Sequence, residues 1–262
     1  MQVFQAVALF VAAVLGGALN SVAGGGSFFT VPMLIFTGMP SITANVTSTV
    51  ALWPGSAASV FAYRNELRAQ RHLAPVLAVV SLVGGVLGAL LLLFTPQTTF
   101  DRLFPWLLLL ATLLFAFSPQ LTRVVRARFG GANDGTVQRS SLGVVLLQLI
   151  IGIYGGYFGG GIGIMMLAAL ALMGLQNIHE MNGLKTLLAT FINGVAIVIF
   201  VLAPYITGSG AVAWPQALLM LVGAVVGGYS GAAFARRLPA QAVRTFVIIV
   251  SVLLTVYFFV RG

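Results

Sequence analysis

A chain of 262 residues that is 60% hydrophobic and 6% charged, with a mean hydropathy of +1.07, cannot cover itself with polar surface; soluble domains carry about 25% charged residues, so lipid must be its solvent. The absence of cysteine excludes disulfides, thiolate metal sites and cysteine nucleophiles. The net charge of +9 comes from twelve arginines and one lysine against four acids. It does not point to nucleic acid, because the arginines fall in short clusters between apolar runs, the positive-inside signature of membrane proteins.

The first apolar segment covers 3–22 and follows a start, MQVFQAVALF, with no basic region and no small-residue cleavage site. It reads as a retained membrane segment and not as a signal peptide. The run AGGG at 23–26 stops it, and a short apolar segment follows at 27–37. Longer segments come at 44–62, 73–94 and 103–118, then a basic linker at 119–140 with Arg123, Arg126, Arg128, Arg139 and the turn-like GGANDG at 130–135. After it come 141–157, the break FGGG at 158–161, a short segment at 162–174, and longer ones at 181–204, 212–235 and 242–260. The organisation read from this is a first membrane repeat at 1–118, a cytoplasmic linker at 119–140 and a second membrane repeat at 141–262.

The two halves match in order. Each opens with a small-residue helix, breaks at three glycines, and continues with a segment too short to span a bilayer, which takes about 20 residues. A polar patch then leads into a longer helix: ANVTSTVALWPGS at 44–56 and MNGLKTLLATFING at 181–194. Asn45 thereby matches Asn182, Thr49 matches Thr186, and Ser48 falls opposite Lys185. Arg64, Arg68 and Arg71, the central arginines, and Arg236, Arg237 and Arg244 mark three loops as cytoplasmic. All three land on one side only if each broken element enters and returns to the same side. The expected fold is therefore an all-α polytopic membrane protein of two inverted repeats, each a glycine-broken helical hairpin plus three transmembrane helices.

Non-helical backbone at membrane depth survives only where protein or a water-filled cavity satisfies it. Paired, glycine-interrupted short segments are the sequence pointer to a transporter's central site. The half-helices after the breaks present unpaired N–H groups and roughly half a positive charge, so two of them aimed at one cavity bind an anion. This makes Gly24, Gly25, Gly26 and Ser27, and Gly159, Gly160, Gly161 and Ile162, candidate substrate contacts. Close helix packing through small residues is the plain structural alternative. Lys185, the sole lysine, lies inside an apolar segment, where a charge costs about 2.5–3.5 kcal/mol or more and commonly marks function; snorkelling to the interface is its alternative. Asn45, Thr47, Ser48, Thr49 and Ser56, with Asn182, Thr186, Thr190 and Asn193, form polar stripes that suit substrate oxygens or helix–helix hydrogen bonds alike.

Of the acids, Glu66 sits in a basic loop where pairing with arginine is expected, Asp101 and Asp134 are peripheral, and Glu180 stands near a helix start that favours an acid. His179 and Glu180 are the nearest candidates for a coupling role. A cytoplasm-negative potential favours anion exit by about 2.3 kcal/mol per charge per 100 mV, so export runs without a proton site and import does not.

AGGGSFFTVPMLIFTGMPSITANVTSTVAL and FGGGIGIMMLAALALMGLQNIHEMNGLKTLLATFING together resemble the paired signatures of the TauE/SafE membrane proteins, the sulfite exporter family, and the likeness runs over nearly the whole chain. That resemblance implies an inner-membrane permease for a small oxidised-sulfur anion: sulfite, thiosulfate or an organosulfonate. With the residue reading, it gives an exporter working by alternating access around a midplane site lined by the two breaks, Asn45, Ser48, Thr49, Asn182, Lys185 and Thr186. An anion channel, or a carrier of another small organic anion, shares these features. Two histidines and four peripheral acids are too few and too dispersed for a metal cluster or nucleophile–base set, so neither an enzyme nor a cofactor is expected. The expected partners are the anion and lipid; nothing in the apolar surface specifies an oligomeric state.

Overall fold

A computed structural model describes residues 2–22, 25–129, 142–175, 177–207, 212–234 and 240–261. Gly24, the GGANDG run with Asp134, Arg139, Arg236 and Arg237 lie outside the described residues. The described chain is helical, with no strand. The helices are α1 (Val3–Val22), α2 (Ser27–Phe36), α3 (Ser41–Ala62), α4 (Arg64–Ala69), α5 (Ala74–Phe94) and α6 (Gln97–Phe129), then α7 (Leu142–Tyr157), α8 (Ile162–Leu172), α9 (Ile178–Val201), α10 (Ala203–Thr207), α11 (Trp214–Phe234) and α12 (Ala240–Arg261). Among the described residues, four stretches are long and apolar enough to cross a membrane: Val3–Asn20, Ala74–Phe94, Gln97–Ser118 and Ile178–Val201.

Both expected short segments are helices of 10 and 11 residues, and both breaks interrupt the helix where the glycines stand. The two short helices also end alike. Gly38 and Gly174 adopt φ of +90° and +88°, a conformation that glycine enters without a Cβ penalty. The following N–H groups turn back: Met39 N donates to Leu34 O at 3.3 Å, and Leu175 N to Leu170 O at 3.2 Å. This is the Schellman stop, and it redirects the chain into α3 and α9. Several limits differ from the sequence reading. α3, α6 and α9 begin earlier, at Ser41, Gln97 and Ile178, α9 ends earlier, at Val201, and α6 runs on to Phe129, into the stretch read as linker.

The two halves interleave. α1 packs on α11 as α7 packs on α5, and α3 packs on α11 as α9 packs on α5. Glycines permit the first two contacts. A Cβ on Gly17 would lie 2.2 Å from Ala224 O, one on Gly227 2.0 Å from Val14 O, and one on Gly88 2.1 Å from Ile153 O. Such backbone approach is how membrane helices gain packing energy without a hydrophobic driving force between them. α3 and α9 meet at the indole of Trp53, whose Nε1 donates to Thr190 O at 3.0 Å. The short helices sit in an aromatic core: Phe28 of α2 meets Phe115 of α6 edge-on at 6.0 Å, and Phe158 meets Phe104 at 5.9 Å. Outside, Val79, Leu87, Leu110, Ile150, Val222 and Ile249 are exposed, a surface suited to lipid.

Candidate anion site at the two helix breaks

Each break is built by its own local contacts. In the second half, Gly159 and Gly161 take φ of +77° and +76°, which turns the chain from α7 into α8 within four residues. Tyr154 Oη donates to Gly160 O at 2.7 Å and clamps the turn. In the first half, Gly26 lies against Gly16 so closely that a Cβ on Gly26 would be 2.4 Å from Gly16 O. Neither α2 nor α8 has a side-chain cap at its N-terminus. Phe28 N and Phe29 N are bonded to Gly25 O and Gly26 O, and Ile164 N to Gly161 O, so the donors an anion would meet are the foremost N–H groups, on Ser27 and on Ile162 and Gly163.

α3 connects the two breaks. Asn45 Nδ2 donates to Tyr157 O, the last carbonyl of α7, at 2.9 Å. Ser48 Oγ lies 2.6 Å from Thr30 Oγ1, and Thr30 Oγ1 donates to Gly26 O at 3.2 Å. Asn45 and Ser48 are three residues apart, about 4.5 Å along the helix, so one turn of α3 holds both breaks. From α9, Asn193 approaches the second break: a Cβ on Gly159 would lie 3.7 Å from Asn193 Oδ1.

Other members of the polar stripes bond within the protein. Thr49 Oγ1 donates to Asn45 O at 2.9 Å, Thr190 Oγ1 to Thr186 O at 2.7 Å, Ala213 N to Thr47 Oγ1 at 3.1 Å, and Asn20 Nδ2 to Ser56 Oγ at 2.8 Å. Lys185 is the eighth residue of α9, about 10 Å along the helix from its start. It is half-buried, and its Nζ donates to Asn182 Oδ1 at 3.0 Å. Among the described residues, no hydrogen bond joins Lys185 to either break.

The two candidates for coupling sit at the other extreme, at the start of α9. Asn177 caps it, accepting from His179 N at 3.0 Å. Glu180 accepts from Asn177 Nδ2 at 3.0 Å and from Gln70 Nε2 at 2.5 Å, and the His179 side chain is exposed. Glu66 departs from the expected arginine pairing: its Oε2 is buried with no hydrogen-bond partner among the described residues, because α4 lays this face against Gly183 of α9.

Sequence reasoning passed over Tyr154, Tyr157, Thr30 and Trp53. The tyrosines stand at the end of an apolar run, and only the helical i, i+6 reach to Gly160 reveals the clamp. Tyr154→Phe is expected to strand the Gly160 carbonyl and to cost about 1–3 kcal/mol, read as a Tm lowered by several degrees in a detergent melt.

Comparison with known proteins agrees with this architecture. No solved structure matches the chain. It is 28% identical to a protein of Sinorhizobium named "Probable membrane transporter protein ORF9", over 95% of this chain and 90% of that one. It is also 28% identical to a "Probable membrane transporter protein" of Haemophilus influenzae, over 94% of this chain and 91% of that one. "Probable membrane transporter protein YfcA" of Escherichia coli K12 is 27% identical over 94% and 87% of the two chains. The family model described as "Sulfite exporter TauE/SafE" matches residues 9–258, across both breaks and every long helix. The chain with two glycine breaks held by one turn of α3 is thus a multi-pass membrane transporter, not an enzyme, and it belongs to the TauE/SafE family.

Proposed function

We propose that this transporter carries a small oxidised-sulfur anion (sulfite, thiosulfate or an organosulfonate) out across the cell's inner membrane. Transport runs by alternating access around a midplane site at the two breaks. The observation that carries the reading is the bridge on α3: Asn45 and Ser48, one turn apart, are hydrogen-bonded to the second break and, through Thr30, to the first. The N-termini of α2 and α8 begin within five residues of these two contacts, and in this reading they face one cavity, where their partial positive charges add. Gly25, Gly26 and Ser27 on one side, with Gly159, Gly160, Gly161 and Ile162 on the other, line it. The repeat relation gives Asn182, Lys185 and Thr186 the places on α9 that Asn45, Ser48 and Thr49 hold on α3. Lys185 then supplies the one full positive charge.

The inverted repeat is supported by the exchanged packing, in which each half lays its first helix on the other half's penultimate one. Two halves related in this way can rock about a fixed centre and expose it to either side. The sulfur chemistry rests on the family, and export on the membrane potential and on the absence of an assigned coupling ion.

The test is flux of labelled sulfite, thiosulfate and a small sulfonate in proteoliposomes with a potential of either sign. Saturable flux of one of them, faster toward the positive side and showing counterflow, is the expected result. Non-saturating flux without counterflow would make the protein a channel. No flux of any of the three by correctly folded protein would sink the substrate class.

A further inference from the structure

The centre of the proposed site holds an acceptor that an anion cannot satisfy. Asn45 is 2% exposed; its Nδ2 donates to Tyr157 O, and its Oδ1 is buried with no hydrogen-bond partner among the described residues. Turning the amide round does not help, because Oδ1 would then face the Tyr157 carbonyl, one acceptor against another. A stranded acceptor of this kind costs about 1–3 kcal/mol unless something positive meets it. The position is negative for a second reason. Tyr157 ends the 16-residue α7, and the C-terminus of a helix carries roughly half a negative charge.

The repeat shows what is missing. Asn182, the counterpart of Asn45, has its Oδ1 met by the Lys185 ammonium at 3.0 Å. The residue opposite Lys185 is Ser48, which carries no charge and is engaged by Thr30. One asparagine has a built-in cation; the other has an orphan oxygen at the end of a broken helix.

We propose that a monovalent alkali cation, Na+, binds between Asn45 Oδ1 and the carbonyl end of α7, and is carried with the anion. Unwound carbonyls and half-helix C-termini are the groups that hold Na+ in discontinuous-helix transporters. The geometry also couples the two ligands. The C-terminus of α7 and the N-terminus of α8 are separated by four residues, so a cation on one and an anion on the other neutralise each other at short range. This inference rests on the anion reading of the breaks and adds to it a co-transported Na+ that cancels one charge of the anion, so the Na+ gradient acts on direction and the potential acts only on the charge left uncompensated.

Binding of radiolabelled Na+ to purified wild type, Asn45→Leu and Gly55→Ala tests it, with choline as the replacement ion. The expected result is one saturable site per chain, weakened about tenfold or more in Asn45→Leu and unchanged in Gly55→Ala. Should Asn45→Leu fail to fold, Asn45→Asp takes its place: a carboxylate there is expected to tighten Na+ binding by about tenfold. No saturable Na+ binding by monodisperse wild type, or equal binding in the Asn45 variants, would overturn the site and leave a buried water as the partner of Oδ1. Labelled sulfite flux measured in parallel separates the two ideas. Na+ binding without anion flux keeps the cation site and sinks the anion; saturable flux that is equal in Na+ and choline, without Na+ binding, does the reverse.

Discussion

Gly88→Val is expected to yield no monodisperse protein after detergent extraction. The reason is backbone, not side chain. A Cβ at residue 88 would lie 2.1 Å from Ile153 O and 2.8 Å from Tyr157 N, both part of α7. No rotamer of valine relieves a clash made by its first carbon, so α5 and α7 must move apart. Overpacking a core usually costs about 1–3 kcal/mol when flexible side chains can yield. Here a rigid helix must shift, so the cost lies at or above the top of that range, against a total stability of about 5–15 kcal/mol for a typical domain. Moving α7 also displaces Tyr157 and the break that follows. Gly227→Val, 2.0 Å from Val14 O, is expected to do the same to the contact of α1 with α11. The control is Gly55→Ala in α3, where nothing lies within 4 Å of the new Cβ; replacing a mid-helix glycine there is expected to stabilise by about 0.5–1 kcal/mol. Size-exclusion profiles of the three variants check the point, and a monodisperse Gly88→Val would show that α5 and α7 are not packed as described.

The breaks were legible in the sequence because they leave two local marks: a glycine run and a following segment too short to span. Helix ends were less so. α6 extends to Phe129 because RVVRAR continues the helical backbone while ending the apolar run, and hydropathy sees only the second. α4 hides in the basic loop for the same reason. Gly38 and Gly174 look like ordinary turn glycines until the matching Schellman bonds identify them as the same device used twice. The polar stripes were visible, but their partners were not. Asn45 meets a carbonyl 112 residues away and Trp53 one 137 residues away. Neither pairing has a local signal, since each depends on which helices the glycines allow to touch. Spacing also could not divide the stripes into internal and free groups. The structure gives Thr47 to the backbone just before α11 and Ser56 to α1, and leaves the Oδ1 of Asn45 without a partner among the described residues.

Lys185→Met is expected to raise the KM for the transported anion far more than it lowers the amount of folded protein. Methionine keeps the length and apolar stem of lysine and removes only the charge, so the packing of α9 changes little. The lost attraction is set by distance and dielectric: about 4 kcal/mol for unit charges 4 Å apart at an effective dielectric of 20, equivalent to roughly a thousandfold in affinity. Water in an open cavity screens part of this, which puts the expected rise at about 30- to 300-fold. Lys185→Arg keeps the charge and should retain most of the activity. Asn182→Leu removes the oxygen that holds Nζ at 3.0 Å and should fall between the two, because the ammonium survives but loses its anchor. The same series tests the alternative role of the lysine. A lysine that only snorkels to the interface would leave KM unchanged in Lys185→Met, while one that neutralises substrate loses affinity with the charge and recovers it with arginine. KM for sulfite in proteoliposomes, compared across the four proteins at matched folded protein, distinguishes these outcomes. A flat series would move the positive charge of the site entirely onto the N-termini of α2 and α8.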